Sequence, residues 1–185
     1  MGSALLIVDI QNDYFPGGAM ELVGSAEAAD RAAGLLRAFR EKGAPVIHMQ
    51  HVSTRPAATF FRPGTEGVKI HASVAPLASE TVFQKHFPNS FRETPLLEHL
   101  RGKDIGRLVI AGMMTHMCID TTTRAAADLG FECLLAHDAC ATRDLAFGTG
   151  KVAAKDVHTA FIAALNGLFA KALPAAELQG AALPG

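Results

Sequence analysis

The chain has 185 residues, 49% of them hydrophobic and 19% charged, which suits one cored domain spanning 1–185 and excludes a disordered chain. Formal net charge is −1 and no Lys/Arg cluster occurs, so neither nucleic acid nor an anionic membrane is expected as a partner. No apolar run reaches the roughly 20 residues a transmembrane helix needs, and the start carries neither a basic leader nor the Ser or Thr that myristoylation requires, since Leu6 stands there.

In chain order, "ALLIV" from Ala4 to Val8 reads as a strand buried on both faces and ending on Asp9. Apolar spacing predicts a helix over Ser25–Lys42, with Ser25 as N-cap and Gly43 just beyond. A second strand follows at Pro45–Met49, and His51–Ser79 is irregular, rich in Pro and Gly. Thr81–Gln84 is a third strand ending on Lys85, Glu93–Lys103 a helix, and Arg107–Ala111 a fourth strand. A helix over Cys118–Leu129 closes on Gly130 and leads to a fifth strand, Glu132–Ala136. The last helix, Lys155–Phe169, carries the stripe Ala160, Phe161, Ala164, Leu165 and Leu168, before a sixth strand at Ala170–Leu173 and a frayed tail over 174–185.

Alternating strands and helices predict an α/β fold: a six-stranded, mostly parallel sheet with helices on both faces, a Rossmann-like three-layer sandwich. Ligands of such sheets bind beyond the carboxyl ends of the strands. Asp9, Lys85 and Cys118 each stand at or just after a different strand end. A thiol at a helix start is favoured as thiolate by the unpaired amides and the macrodipole. A strand-end carboxylate can take its proton, and a lysine held beside them can stabilise the anion. Each residue also has an ordinary reading: buried packing for Cys118, a turn for Asp9, a solvated charge for Lys85. Asp13, further into the turn, is better placed than Asp9 for bonding backbone amides. Three cysteines with no C-x-x-C pair argue against a disulfide framework and for the cytoplasm. Cys133 reads as buried packing, and Cys140 falls in an expected loop.

The segments "LLIVDIQNDYFPGG", "FQKHFPNSF", "VIAGMMTHMCIDTTTRAA" and "AHDACATRD" resemble the isochorismatase-like cysteine hydrolases, which include nicotinamidases, N-carbamoylsarcosine amidase-type enzymes and isochorismatases. The resemblance implies a triad of Asp9, Lys85 and Cys118, and a cis peptide between Met113 and Met114 that aims the Met114 and Cys118 amides into an oxyanion hole. It implies hydrolysis of a small amide-like C–N bond through a thioester, with no cofactor, in a homo-oligomer (dimer or tetramer). Tyr14, Phe15, Phe60, Phe61, Phe91 and His116 are candidates for binding a small-molecule substrate. Metal-dependent nicotinamidases carry Asp-x-His after the second strand. Here "HMQH" has Met49 in place of the Asp, with His51 as the lone matching His, so no metal is expected. The rival readings are vinyl ether hydrolysis with Asp9 as general acid, His116 in place of Asp9 as base, and a non-catalytic binding protein on the same fold.

Overall fold

In a computed structural model that describes residues 2–182, the chain threads β1 (Gly2–Val8), α1 (Ser25–Glu41), β2 (Val46–His51), β3 (Thr81–Lys85), α2 (Leu96–Gly102) and β4 (Ile105–Met113). It continues through a π-helical turn (Thr115–Ile119), α3 (Asp120–Asp128), β5 (Glu132–Ala141), the hairpin β6 (Leu145–Phe147) and β7 (Gly150–Val152), α4 (Ala154–Leu165), β8 (Lys171–Leu173) and α5 (Ala175–Leu178). Six strands form one sheet in the order β3-β2-β1-β4-β5-β8, with every pair parallel. The strand order reverses between β1 and β4, which fixes where a crevice opens at their carboxyl ends.

Period-two alternation divides the interior into two cores. Leu5 and Ile7 of β1 join the cluster under α1 and α5, whereas Ala4, Leu6 and Val8 join the cluster under α2, α3 and α4. Each fully buried Leu or Ile contributes roughly 1.5–3 kcal/mol, so β1 is anchored from both faces and Asp9 is held at its end.

Several boundaries differ from the expectation. Gly24, at φ 73°, takes the N-cap of α1 and Ser25 is the first helical residue. Helix α2 starts at Leu96 rather than Glu93. Thr94 precedes Pro95, which disfavours helical backbone there, and its hydroxyl donates to the Ser90 carbonyl. Cys118 lies within the π-helical turn, and regular α-helix begins only at Asp120. β5 runs on to Ala141, so Cys140 is a buried strand residue opposite Gly112, not a loop residue. Helix α4 stops at Leu165, where Asn166 and Gly167 (φ 97°) turn the chain. Its buried positions are Ala154, Val157 and Leu165, while Ala160, Ala164 and Leu168 of the expected stripe are exposed. The tail is helical through α5 and a 3-10 turn, Gln179–Ala182. Ala175 and Leu178 are buried, and Lys42 Nζ donates to the Gln179 carbonyl (2.7 Å). The remainder of the expected frayed segment, 183–185, lies outside the described residues.

Candidate active site

The strand ends bring Asp9, Lys85 and Cys118 into contact. Asp9 follows β1 with a left-handed backbone (φ 53°), a conformation Asp tolerates better than most residues and one that clusters at functional sites. Lys85, the last residue of β3, is fully buried, and its ammonium stands 2.7 Å from Asp9 Oδ2. The same nitrogen reaches Cys118 Sγ at 3.3 Å and donates to the Phe87 carbonyl at 3.0 Å. The fourth neighbour is His51 Nδ1, at 3.1 Å.

Burial works against the Lys85 charge, but Asp9 and Cys118 beside it outweigh that and raise its pKa. Desolvation lowers His51 to about 4, against some help from Asp9, so at neutral pH its Nδ1 accepts from the ammonium. The Cys118 thiol is pushed up, first by burial and then by the Asp9 carboxylate, with Lys85 opposing. That corrects the expectation of a helix-start thiolate: the resting sulfur keeps its proton, next to a carboxylate. Asp9 Oδ1 and Oδ2 are both buried with no hydrogen bond among the described residues, the Lys85 ion pair aside. Leaving a buried carboxylate oxygen unsatisfied is costly, so this carboxylate stands open to a proton from Cys118 or from a bound molecule.

His51 was foreseen only as an isolated ring; in the structure it is the last residue of β2 and pairs directly with Lys85, the last residue of the parallel strand β3. Its backbone is clamped by the buried Gln11 side chain, which accepts from the His51 N–H (2.8 Å) and donates to the His51 and Val68 carbonyls. Asp13 bonds backbone amides as expected, accepting from Phe61 N–H (2.6 Å) and Ala19 N–H (3.3 Å). A Cβ on Gly67 would stand 1.9 Å from its Oδ1, so glycine is required where the irregular segment crosses Asp13. The amide that Asp13 holds belongs to Phe61, itself at φ 54° and buried.

Beside Cys118 opens a cavity of about 350 Å³. Tyr14, Phe60, Phe61 and Met114 line it, with Met117 and Pro88. Three other candidates do not line it. Phe15 stacks on His71 at 3.6 Å, Phe91 stacks with Phe131, and His116 bonds Thr142 Oγ1 and packs against Phe161. The Tyr14 hydroxyl makes no hydrogen bond among the described residues, and burial, then Cys118 and Asp9, raise its pKa well above the ordinary value, so it stays a neutral donor. The Met113–Met114 peptide is cis.

A metal does not suit this arrangement. One donor atom each from Asp9, His51 and Cys118 lie within 4.8 Å of one another, but the Lys85 ammonium reaches all three residues and supplies the positive charge there. Met49 is buried in the core under α2 and α3.

Residues 3–177 match the isochorismatase domain. The chain belongs to the isochorismatase family. Within that family it is 52% identical over 170 residues to YddQ of Bacillus subtilis (strain 168), covering 92% of this chain and 94% of that one. A crystal structure from Oleispira antarctica, described as an isochorismatase hydrolase, superposes with a TM-score of 0.93 at 50% identity, covering 97% and 96% of the two chains. The maleamate amidohydrolase of Pseudomonas putida is 28% identical over 155 residues, 76% of this chain and 72% of its own. This isochorismatase-family chain is thus a hydrolase by kinship, with relatives that act on amides. Among its described residues no helix is long and apolar enough to cross a membrane.

Proposed function

We propose that the protein hydrolyses a small amide-like C–N bond through a thioester on Cys118. Asp9 takes the thiol proton as sulfur attacks the carbonyl carbon, and the Met114 and Cys118 amides hold the resulting oxyanion. Collapse breaks the C–N bond while Asp9 returns the proton to the leaving amine. Water, deprotonated by the same carboxylate, then attacks the thioester, and the thiol leaves reprotonated. Lys85 holds Asp9 in place and lowers the cost of the thiolate as it forms. No cofactor enters these steps.

The observation that carries this reading is the buried Asp9 carboxylate, without a hydrogen bond of its own, beside Cys118, with Lys85 in contact with both residues. A carboxylate with an open acceptor serves as a base only for a group that approaches it, and the thiol is there already. Isochorismatase-type vinyl ether hydrolysis would use Asp9 as general acid and would leave the Cys118 thiol beside it without a role. We also read the protein as cytoplasmic, since its three cysteines are free, and as a homo-oligomer, since Phe147 (95% exposed) and Leu168 (82%) leave apolar side chains open.

Rapid quenching during turnover, followed by intact mass measurement and peptide mapping, tests the chemistry. The acyl mass should appear on Cys118, and Cys118→Ala should lose both adduct and turnover. Near-wild-type turnover in Cys118→Ala, with Asp9→Asn inactive, would replace this reading with vinyl ether hydrolysis.

A further inference from the structure

Lys85 Nζ stands 2.7 Å from Asp9 Oδ2, yet neither Asp9 oxygen receives a hydrogen bond among the described residues. The ammonium directs its protons elsewhere: to the Phe87 carbonyl (3.0 Å), to His51 Nδ1 (3.1 Å) and to Cys118 Sγ (3.3 Å). An ammonium carries three protons, so these partners occupy all of them. Asp9 is held by charge alone, and its lone pairs stay free for the thiol proton. Left to itself, a buried ammonium would turn a proton towards the nearest carboxylate, because hydrogen bonds between ionised groups are roughly twice as strong as neutral ones. Rotation about the Cε–Nζ bond is therefore fixed by the two neutral acceptors. One is backbone, the Phe87 carbonyl, and the other is a side chain, His51.

Resting on the amide-hydrolase reading, we infer that His51 is a positioning residue of the reaction: it accepts one Lys85 proton so that another points at Cys118 and none at Asp9. Its own place is fixed by the fold. His51 ends β2 opposite Lys85 at the end of β3, and the buried Gln11 side chain accepts from its N–H and donates to its carbonyl. Burial keeps the ring neutral at neutral pH, so Nδ1 retains its lone pair and the ring proton sits on Nε2. A protonated ring would turn an N–H on the ammonium and repel it. Without an acceptor at position 51 the ammonium swings towards Asp9. The base then gains a hydrogen bond, which weakens it, and the sulfur loses the donor that eases its ionisation. Both changes slow attack by sulfur.

The test uses the full-length protein without substrate and follows iodoacetamide labelling of Cys118 across pH, located by peptide mapping. Asp9 and Tyr14, the other titratable groups coupled to this thiol, are kept in every variant. His51→Leu fills the space with no acceptor. Its labelling should be about tenfold slower at each pH on the rising part of the curve, as one lost hydrogen bond to a charged group gives. His51→Asn places an amide oxygen as many bonds from Cα as Nδ1 and should keep the wild-type curve. His51→Ala should label as slowly as His51→Leu until imidazole, neutral at alkaline pH, is added and restores the rate. That variant also decides the question if His51→Leu does not fold. Wild-type labelling in His51→Leu or His51→Ala, or a loss that neither His51→Asn nor imidazole recovers, overturns the positioning role and leaves the thioester mechanism standing. Failure of wild-type Cys118 to label while Cys133 or Cys140 reacts overturns the mechanism and this inference with it.

Discussion

Gly112 of β4 lies against Val8 of β1 so closely that a Cβ at position 112 would stand 1.9 Å from the Val8 carbonyl oxygen. The contact falls at the point where strand order reverses, between the strand that delivers Asp9 and the one that leads to Cys118. Gly112 also has φ 139°, outside the range of ordinary side chains, and borders an irregularity in the β4–β5 register. Gly112→Ala is therefore expected to cost at least about 3 kcal/mol, from strain and overpacking together. Denaturant melts check this, and a loss below about 1 kcal/mol would mean that the strands separate there easily.

Lys85→Met tests the buried pair. Removing the ammonium leaves the Asp9 charge buried and uncompensated, which typically costs about 3–5 kcal/mol. Adding Asp9→Asn should recover part of that loss, because a neutral amide needs no counter-charge. A double-mutant cycle measures the coupling. Strictly additive losses would show that the 2.7 Å contact contributes nothing specific.

Much of this site was legible because its residues sit where continuous apolar runs end. "ALLIV" reads as a strand covered on both faces, and that placed Asp9. What failed did so for local reasons. Alanines lie on both the buried and the exposed sides of α4, at Ala154 and at Ala160 and Ala164, so hydropathy there carries no phase. The Asn166–Gly167 turn, a visible breaker, was read as helix. β5 was cut short at His137 and Asp138, polar residues that a half-covered strand end tolerates. Phe15, Phe91 and His116 had suitable ring types, but a sequence does not say which way a loop turns its rings. His51 depends on sheet register with Lys85, 34 residues away, a relation that only pairing of the strands supplies.

Acid should destabilise the protein in two stages. The folded-state pKa of His51 is depressed from 6.5 to about 4, so the unfolded chain binds more protons between those values. Stability is full above pH 6.5 and falls as pH drops from 6.5 to 4. Burial lowers His48 as well, against its bond to Glu80, and adds to the same window. Glu80, held down at about 2 by Arg40, Leu77 N–H and His48 in spite of its own desolvation, contributes stability that is lost as pH falls from 4.5 towards 2. Urea titrations across pH should show both slopes, and His51→Gln should flatten the upper one. An upper slope unchanged in that variant would assign it to other groups.

Thiol titration follows from the burial of Cys118, 5% exposed, beside a carboxylate. Its alkylation rate in the free protein should keep climbing through alkaline pH, with no plateau near neutrality. Such a plateau would reveal a resting thiolate and would move Asp9 out of the role of base. In Asp9→Asn the curve should shift to lower pH, because the second-largest influence raising the thiol is gone while Lys85 remains.

Lys85 also bears on metals. Its ammonium sits among three donors that zinc would otherwise use, one each from Asp9, His51 and Cys118, within 4.8 Å of one another. In the wild type, chelators should leave activity intact, since those donors already face a fixed cation. Lys85→Ala removes that cation and opens space where it stood. A divalent ion would then recover the electrostatic balance of Asp9 and draw the proton off Cys118, with His51 already neutral as a ligand. Zinc is thus expected to raise the melting temperature of Lys85→Ala in a concentration-dependent way and to protect Cys118 from alkylation. The wild type should show neither effect at the same concentrations. Equal stabilisation of both proteins would place the metal elsewhere, and none in the variant would mean that the three donors cannot close on one ion.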